Sequence, residues 1–177
     1  MYKTSYAFCL ALSLLSATGE SPAPAQVAVP HASAINPAEF VRRAAFSDMY
    51  ETQSSELAAV KGDAPTRALA AMLNADHQKT SSQLGVIVKG HAQDLPLPPR
   101  LDPAHQALID ELKNLEGPAF SKRFLQQQRV AHQQAVALFE SYGATGTNAE
   151  LRQWAAQTLP KLKEHLAHVQ SLIAPAA

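Results

Sequence analysis

Apolar and small residues recur every three to four positions over four long stretches of the chain, which is the period of an α-helix with one buried face. The stretches cover about 37–60, 63–88, 118–142 and 148–173, and a shorter helix is predicted over 102–115. Ala, Leu and Gln are abundant, whereas Gly and β-branched residues are sparse, as is typical of helical proteins. The pattern predicts an all-α fold.

Short polar motifs mark the helix starts. Asn36 precedes the first helix and Glu39 follows three residues later, which predicts a capping box. Thr147 and Glu150 repeat this spacing before the last helix. Both starts are therefore well defined by sequence.

The lengths of the connections predict how the helices are arranged. Two short turns join the long helices in pairs, and a long middle connection from Lys89 to Gly117 carries the short helix. A helix of about 24 residues spans roughly 36 Å, and this connection is long enough to cover that distance. The expected architecture is a four-helix bundle with a central crossover, in which the second and third long helices run parallel.

The N-terminus is typical of an export signal. Lys3 supplies a positive charge, Ala7 to Leu15 is an apolar run, and Ala23-Pro24-Ala25 offers a cleavage site of small residues. We expect a signal peptide over 1–25, a Pro/Ala-rich linker over 26–36 and the bundle domain over 37–174. The mature protein is then exported to the periplasm or cell envelope.

The apolar run is too short to span a bilayer comfortably, and no other segment approaches its length. The mature chain is therefore expected to have no transmembrane span. Cys9 is the only cysteine and lies inside the predicted signal peptide. A mature chain without it has no disulfide and no thiolate ligand.

Charge balance argues against nucleic acid as a partner. The chain has 15 Lys and Arg residues against 15 Asp and Glu residues, a formal net charge of zero. Because no basic stripe is available to neutralise phosphates, we expect no nucleic-acid binding. Protein partners and oligomeric state are not indicated.

Four polar residues interrupt the apolar stripes of the four long helices, one in each: Glu51, His77, His132 and His165. At 1.5 Å per residue they lie roughly 21, 18, 21 and 24–26 Å along their helices, close to the midpoints. Reversing a helix hardly moves its midpoint, so the depths match for any helix direction. The four side chains are expected to meet in the middle of the bundle.

One glutamate and three histidines suit a single transition-metal ion such as Zn, Fe, Cu or Mn. The alternative is a metal-free network of buried hydrogen bonds that specifies helix register at some cost in stability. Asp48 and His168 lie one turn away from Glu51 and His165 and can reach the same region. Asp76 and Glu164 point about 100° away from the neighbouring histidine and suit outer or surface positions.

The other polar residues suggest no further functional site. The run Gln126–Gln128 and the pair Lys161 and Lys163 fit exposed helical faces, and His31, His91 and His105 are expected to be solvated. The sequence contains no nucleophile elbow and no Gly-rich phosphate loop. No catalytic residue is assigned.

Several motifs together resemble a bacterial envelope family that is catalogued as a domain of unknown function. Its members are often labelled as outer-membrane proteins and are assigned to the ferritin-like helical bundles. The matching pieces are Phe40-Val41 with Ala44-Ala45, Met49-x-Glu51, Met72 with Asp76-His77, Leu101-Asp102 with His105-Gln106, His132 with Ala135 to Glu140, and Leu159-Pro160-x-Leu162-x-x-His165-Leu166. They extend over the whole expected mature chain.

The resemblance implies a signal peptide and a ferritin-like bundle, without a known reaction. The family often has an acidic residue just before the histidine of the third long helix, where this chain has Ala131. Di-iron sites in such bundles use Glu-x-x-His pairs, and this chain has none. A histidine-rich site for one ion is therefore the preferred metal hypothesis.

The sequence thus supports an exported ferritin-like bundle that binds a transition metal at a buried Glu/His cluster, in envelope metal handling or stress protection. The alternative is a non-catalytic envelope interaction or structural module whose cluster is metal-free. Ligating atoms about 3–5 Å apart would fit one coordination sphere.

Overall fold

A computed structural model describes residues 35–91 and 94–173 of the 177-residue chain. It contains five helices and, within those ranges, no strand. They are α1 (Pro37–Lys61), α2 (Ala64–Lys89), α3 (Pro103–Lys113), α4 (Gly117–Thr145) and α5 (Ala149–Ile173). The all-α prediction is confirmed. The predicted signal peptide, residues 26–34 of the predicted linker and residue 174 lie outside the described ranges.

The first helix begins as its sequence predicts. Asn36 Oδ1 accepts a hydrogen bond from the backbone N–H of Glu39 at 2.8 Å, which satisfies one of the free donors at the helix start. The Glu39 carboxylate does not return to Asn36. It accepts a hydrogen bond from Arg42 Nε at 2.9 Å instead, so the cap has only one of the two bonds of a capping box.

The last helix is capped by a different residue from the one predicted. Asn148 Oδ1 accepts from the N–H of Leu151 at 3.0 Å, so the predicted box of Thr147 and Glu150 is wrong. Asn148 stands one residue nearer to the helix, and its short side chain reaches the third helical N–H. Sequence spacing alone could not choose between two adjacent capping residues.

The long helices form two hairpins. Helix α1 packs on α2 across the short connection Gly62-Asp63, and α4 packs on α5 across residues 146–148. Further contacts join α1 to α4 and α2 to α5, while α3 packs on α1 and α4. The N–H of Asp63 donates to Ser121 Oγ at 3.0 Å, so α2 and α4 begin at the same end of the molecule.

Two apolar clusters occupy the two ends of the helices. One contains Phe40, Leu84, Phe139, Tyr142, Leu151 and Trp154, and the other contains Leu69, Leu73, Phe120, Phe124 and Val169. Each long helix has one buried residue of the candidate site between its contributions to these two clusters: Glu51, His77, His132 and His165. The interior is therefore apolar at both ends and polar in the middle.

The long helices are not membrane spans. Within residues 35–91 and 94–173, no helix combines the length and hydropathy needed to cross a bilayer.

The turn between α1 and α2 depends on a close approach at Gly62. A Cβ placed there would lie 2.7 Å from the Ala58 backbone oxygen and 2.8 Å from Thr66 Cγ2. At Gly85, inside α2, a Cβ would meet nothing within 4 Å. The same chemical change should therefore have opposite effects at the two positions.

We expect Gly62→Ala to lower the free energy of unfolding by about 1–3 kcal/mol, because the turn must open to relieve the clash. Gly85→Ala should raise it by about 0.5–1 kcal/mol, because alanine restricts the unfolded chain more than glycine does. Urea unfolding followed by circular dichroism measures both. Equal effects of the two variants would contradict the packing described for this turn.

Candidate metal centre

His77, His132 and His165 come together in the polar middle layer. Their ring centroids are 5.7 Å apart for His77 and His132, 5.6 Å for His77 and His165, and 5.4 Å for His132 and His165. One ring nitrogen from each lies within 4.8 Å of the other two. All three side chains are buried, with at most 3% exposure. Three different helices, α2, α4 and α5, thus contribute one imidazole each to a single cluster.

Carboxylates hold the outer nitrogens of two of these rings. Asp48 Oδ1 lies 2.8 Å from His77 Nδ1, and Asp76 Oδ2 lies 2.9 Å from His165 Nε2. Asp48 also accepts a hydrogen bond from Thr80 Oγ1 at 2.9 Å. An acceptor at one ring nitrogen favours the N–H at that atom and leaves a lone pair on the other nitrogen of a neutral ring.

The third ring is oriented by the backbone. His132 Nδ1 lies 3.0 Å from the carbonyl oxygen of Gln128, one turn earlier in α4. The Gln128 side chain is fully buried and its Nε2 donates to Ser54 Oγ at 3.0 Å. The prediction that the glutamine run is exposed is therefore wrong for Gln127 and Gln128, because both face neighbouring helices and are at most 5% exposed.

The second nitrogen of each ring has no such partner. Within the described residues, His77 Nε2, His132 Nε2 and His165 Nδ1 are buried and make no hydrogen bond. Buried polar atoms are normally satisfied, because leaving them unpaired costs about 1–3 kcal/mol each. A cation shared by the three nitrogens would satisfy all of them.

Glu51 lies beside this cluster. Its Oε1 is 3.7 Å from His132 Nδ1, and neither carboxylate oxygen has a hydrogen-bond partner in the described part of the chain. Glu51 is 1% exposed, yet it is not one of the residues whose ligand atoms lie within 4.8 Å of each other. It has to turn toward the three rings to share an ion with them.

Burial and neighbouring charges shift the protonation of these groups. Burial raises the pKa of Glu51 to about 7, although nearby His77 opposes the shift. Burial lowers the pKa of His132 to about 3, and His77 adds to that shift. Burial also lowers the pKa of His165. At His77 burial is outweighed by the Asp48 hydrogen bond and the Glu51 charge, so its pKa is raised.

The polar residues that lie near the four site residues in sequence occupy different positions in the structure. Asp48 joins the layer through His77, while His168 is exposed. Asp76 supports His165 from outside, and Glu164 lies at the surface, where it bonds Lys161 at 2.6 Å. From sequence, Asp48 is identified only by its spacing of one turn from Glu51, and Asp76 only as the residue before His77. Their partners, His77 and His165, belong to other helices.

The remaining histidines contribute nothing to the cluster. His91 is exposed as predicted, and His31 lies outside the described residues. The prediction that His105 is solvated is wrong. Its side chain is half-buried, bonds Asp102 Oδ1 at 2.9 Å and stacks on Phe46 with centroids 6.0 Å apart.

Over residues 21–172 the chain matches the family model described as Domain of unknown function (DUF4142). The chain belongs to this family. The match covers all five helices except the last residue of α5, and it includes the four residues of the candidate site. The resemblance to a domain-of-unknown-function family is confirmed at this level. No curated protein matches the chain, and no solved structure does.

The raised pKa of Glu51 predicts a pH-dependent stability of the metal-free DUF4142 domain. The folded-state pKa of about 7 exceeds the ordinary value of 4.5, so the stability contribution is present below pH 4.5 and is lost as the pH rises toward 7. Glu51→Gln removes this loss. We expect it to raise the free energy of unfolding by up to about 3 kcal/mol at pH 8, and much less at pH 4.

Urea unfolding in the presence of EDTA at pH 4, 6 and 8 measures this difference. Glu140→Gln is the matched control, since Glu140 is exposed and pairs with Lys163 at 2.6 Å on the surface. If Glu51→Gln is no more stable than the parent at pH 8, the description of Glu51 as a buried, unpaired carboxylate is wrong.

Proposed function

We propose that this DUF4142 domain binds a single transition-metal ion through His77, His132 and His165, with Glu51 as the fourth protein ligand. The proposal rests on one observation: three neighbouring rings each have a buried nitrogen that finds no partner in the described part of the chain. Each opposite nitrogen is already hydrogen-bonded. Histidines that bind metals in proteins have this arrangement, in which an outer acceptor sets the tautomer and the ring orientation.

The donor set suits a borderline metal. Imidazole and carboxylate bind Zn, Fe, Cu and Mn, and no thiolate takes part. Four ligands at about 2.0–2.2 Å would place ligand atoms roughly 3.3 Å apart in a tetrahedral zinc site. The observed nitrogen separations of up to 4.8 Å require a modest contraction, which side-chain rotation supplies.

Charge also favours a cation. Asp48 and Glu51 are almost fully buried in this layer, at 6% and 1% exposure. Buried carboxylates are costly unless a cation or several hydrogen bonds compensate them. A divalent ion at the three rings would balance both charges. It would also replace the proton that His77 otherwise attracts.

The helix contacts support a ferritin-like bundle with a central crossover. The two hairpins join through α1 with α4 and α2 with α5, and α2 and α4 begin at one end. The connection between them, which contains α3, is then the crossover. The di-iron chemistry of some such bundles does not fit the described residues, because Glu51 is the one unpaired carboxylate beside the cluster and Asp48 is held by His77 and Thr80.

The proposed cellular role is metal handling or stress protection after export to the periplasm or cell envelope. It is supported by the signal-like residues of the N-terminus. A buried ion held by four helices suits storage, buffering or structural stabilisation. The geometry favours no particular reaction.

Elemental analysis of the purified protein tests metal binding. We expect about one ion per chain, with His77→Ala and His132→Ala each reducing occupancy severely, because each removes one ligand. His168→Ala is the matched control: it removes an exposed imidazole one turn after His165 and should keep full occupancy. Substoichiometric metal that is independent of His77 and His132 would refute the site.

Thermal and urea unfolding test whether the metal stabilises the fold. Zn²⁺ should raise the free energy of unfolding of the parent, by about 2.7 kcal/mol when free Zn²⁺ is 100 times its Kd, and EDTA should reverse the effect. Glu51→Gln should reduce this Zn²⁺-dependent gain because it removes a ligand, although the same substitution stabilises the metal-free protein in EDTA. Glu140→Gln should retain it.

The alternative function is a non-catalytic envelope interaction or structural module with a metal-free Glu/His network. On that hypothesis the unfolding curves are the same with Zn²⁺ and with EDTA. Glu51 and His132 would still show coupling in a double-mutant cycle, because their side chains are in contact. Coupling without any chelator effect would replace the metal proposal with this one.

A further inference from the structure

A cleft between α2 and α5 lies over the candidate site. Its volume is about 200 Å³, and Asp76, Lys79 and Thr80 of α2 and Gln157, Thr158 and Lys161 of α5 line it. Helices α2 and α5 pack less closely than the helices within either hairpin.

The floor of the cleft consists of groups bonded to the site. Asp76 Oδ2 lies 2.9 Å from His165 Nε2, and the Asp76 side chain is 33% exposed whereas that of His165 is 2% exposed. Thr80 Oγ1 donates to Asp48, which in turn holds His77. One hydrogen bond therefore separates a partly exposed carboxylate from an imidazole of the cluster.

Another cleft has no such connection. It measures about 240 Å³, lies against α1, α3 and α4, and is lined by Arg43, Phe46, Tyr50 and Gln134 among others. None of its lining residues bonds one of the three cluster histidines in the described part of the chain. Tyr50 directly precedes Glu51 in sequence, but its hydroxyl donates to Gln127 Oε1 at 2.9 Å and not to the site.

We propose that the metal ion reaches and leaves the site through the cleft between α2 and α5, where the Asp76 carboxylate receives it first. Binding of the ion to Asp76 breaks the hydrogen bond between Asp76 and His165. The His165 ring then moves and lets the ion enter the cluster. This route rests on the proposed metal binding. It assigns Asp76 a second task besides positioning His165.

The charges of the cleft predict how fast a cation passes. Asp76 attracts a dication, and Lys161 is partly neutralised by Glu164 at 2.6 Å. Lys79 forms no ion pair with any described residue and stands in the cleft as a like charge. It should slow the approach of Zn²⁺ at low ionic strength.

Blocking the cleft tests the route. Gln157→Cys is made in a Cys9→Ser background, so that the introduced thiol is the only one, and it is labelled with a bulky maleimide. Gln134→Cys, labelled in the same way in the other cleft, is the matched control because both glutamines are exposed. Stopped-flow measurements follow Zn²⁺ uptake and its removal by a chromogenic chelator.

We expect the label at position 157 to slow uptake and release by the same factor of several-fold, with Kd unchanged. A steric block on a route acts on both directions equally, whereas damage to the site changes Kd. The label at position 134 should leave both rates at the level of the unlabelled protein. Equal rates for the two labelled proteins, or an altered Kd with unchanged uptake, would overturn the route.

Charge reversal supplies a second test that leaves the cluster untouched. Lys79→Glu should accelerate Zn²⁺ uptake several-fold at low salt, and the gain should vanish at high salt. Lys122→Glu, an equal charge change at an exposed residue of α4, should have no such effect. Equal uptake rates for the two variants at low salt would also overturn the route.

The two proposals fail differently. A parent protein that takes up no Zn²⁺ at all refutes the metal site and the route together. A parent that binds Zn²⁺ in a histidine-dependent way, with rates indifferent to the label at position 157, refutes the route alone.

Discussion

The interior depends on one constraint: three imidazoles are buried side by side, and their second nitrogens have no hydrogen-bond partner among the described residues. Such rings repel through their lone pairs unless a proton or a metal ion lies among them. Burial keeps His132 and His165 neutral, while Asp48 and Glu51 favour a positive charge at His77. The cluster therefore needs one cation, and its identity decides whether the domain is a metalloprotein.

The surrounding helices are built to hold this layer in place. Apolar clusters at both ends exclude water, and the stacked rings of Phe40 and Tyr142, 3.9 Å apart, anchor one of them. The outer hydrogen bonds of Asp48 and Asp76 join α1 to α2 and α2 to α5 at one level. Gln128, whose carbonyl holds His132, joins α4 to α1 through Ser54. A shift of any long helix by one residue would break them, so the polar layer also defines helix register.

Much of the fold was predictable because helices are local. Spacing of apolar residues, the Asn36 cap and the glycines of the turns located the long helices to within a few residues. The histidines could be expected to converge because mid-helix residues share a depth for any helix direction. Thr147 as a cap and the exposure of Gln127 and Gln128 were wrong, because adjacent polar residues compete for one position and a neighbouring helix can cover a polar face.

The sequence by itself determined which residue types lie at mid-helix, and hence that three histidines and Glu51 enter one layer. Only the tertiary structure decided which nitrogen of each ring is held from outside and which is left unpaired. Those partners come from positions distant in the chain or from the backbone, as Asp76 does for His165 and the Gln128 carbonyl does for His132. The reason is physical: helical periodicity sets the direction of a side chain around its own axis, whereas hydrogen-bond partners depend on how separate helices pack.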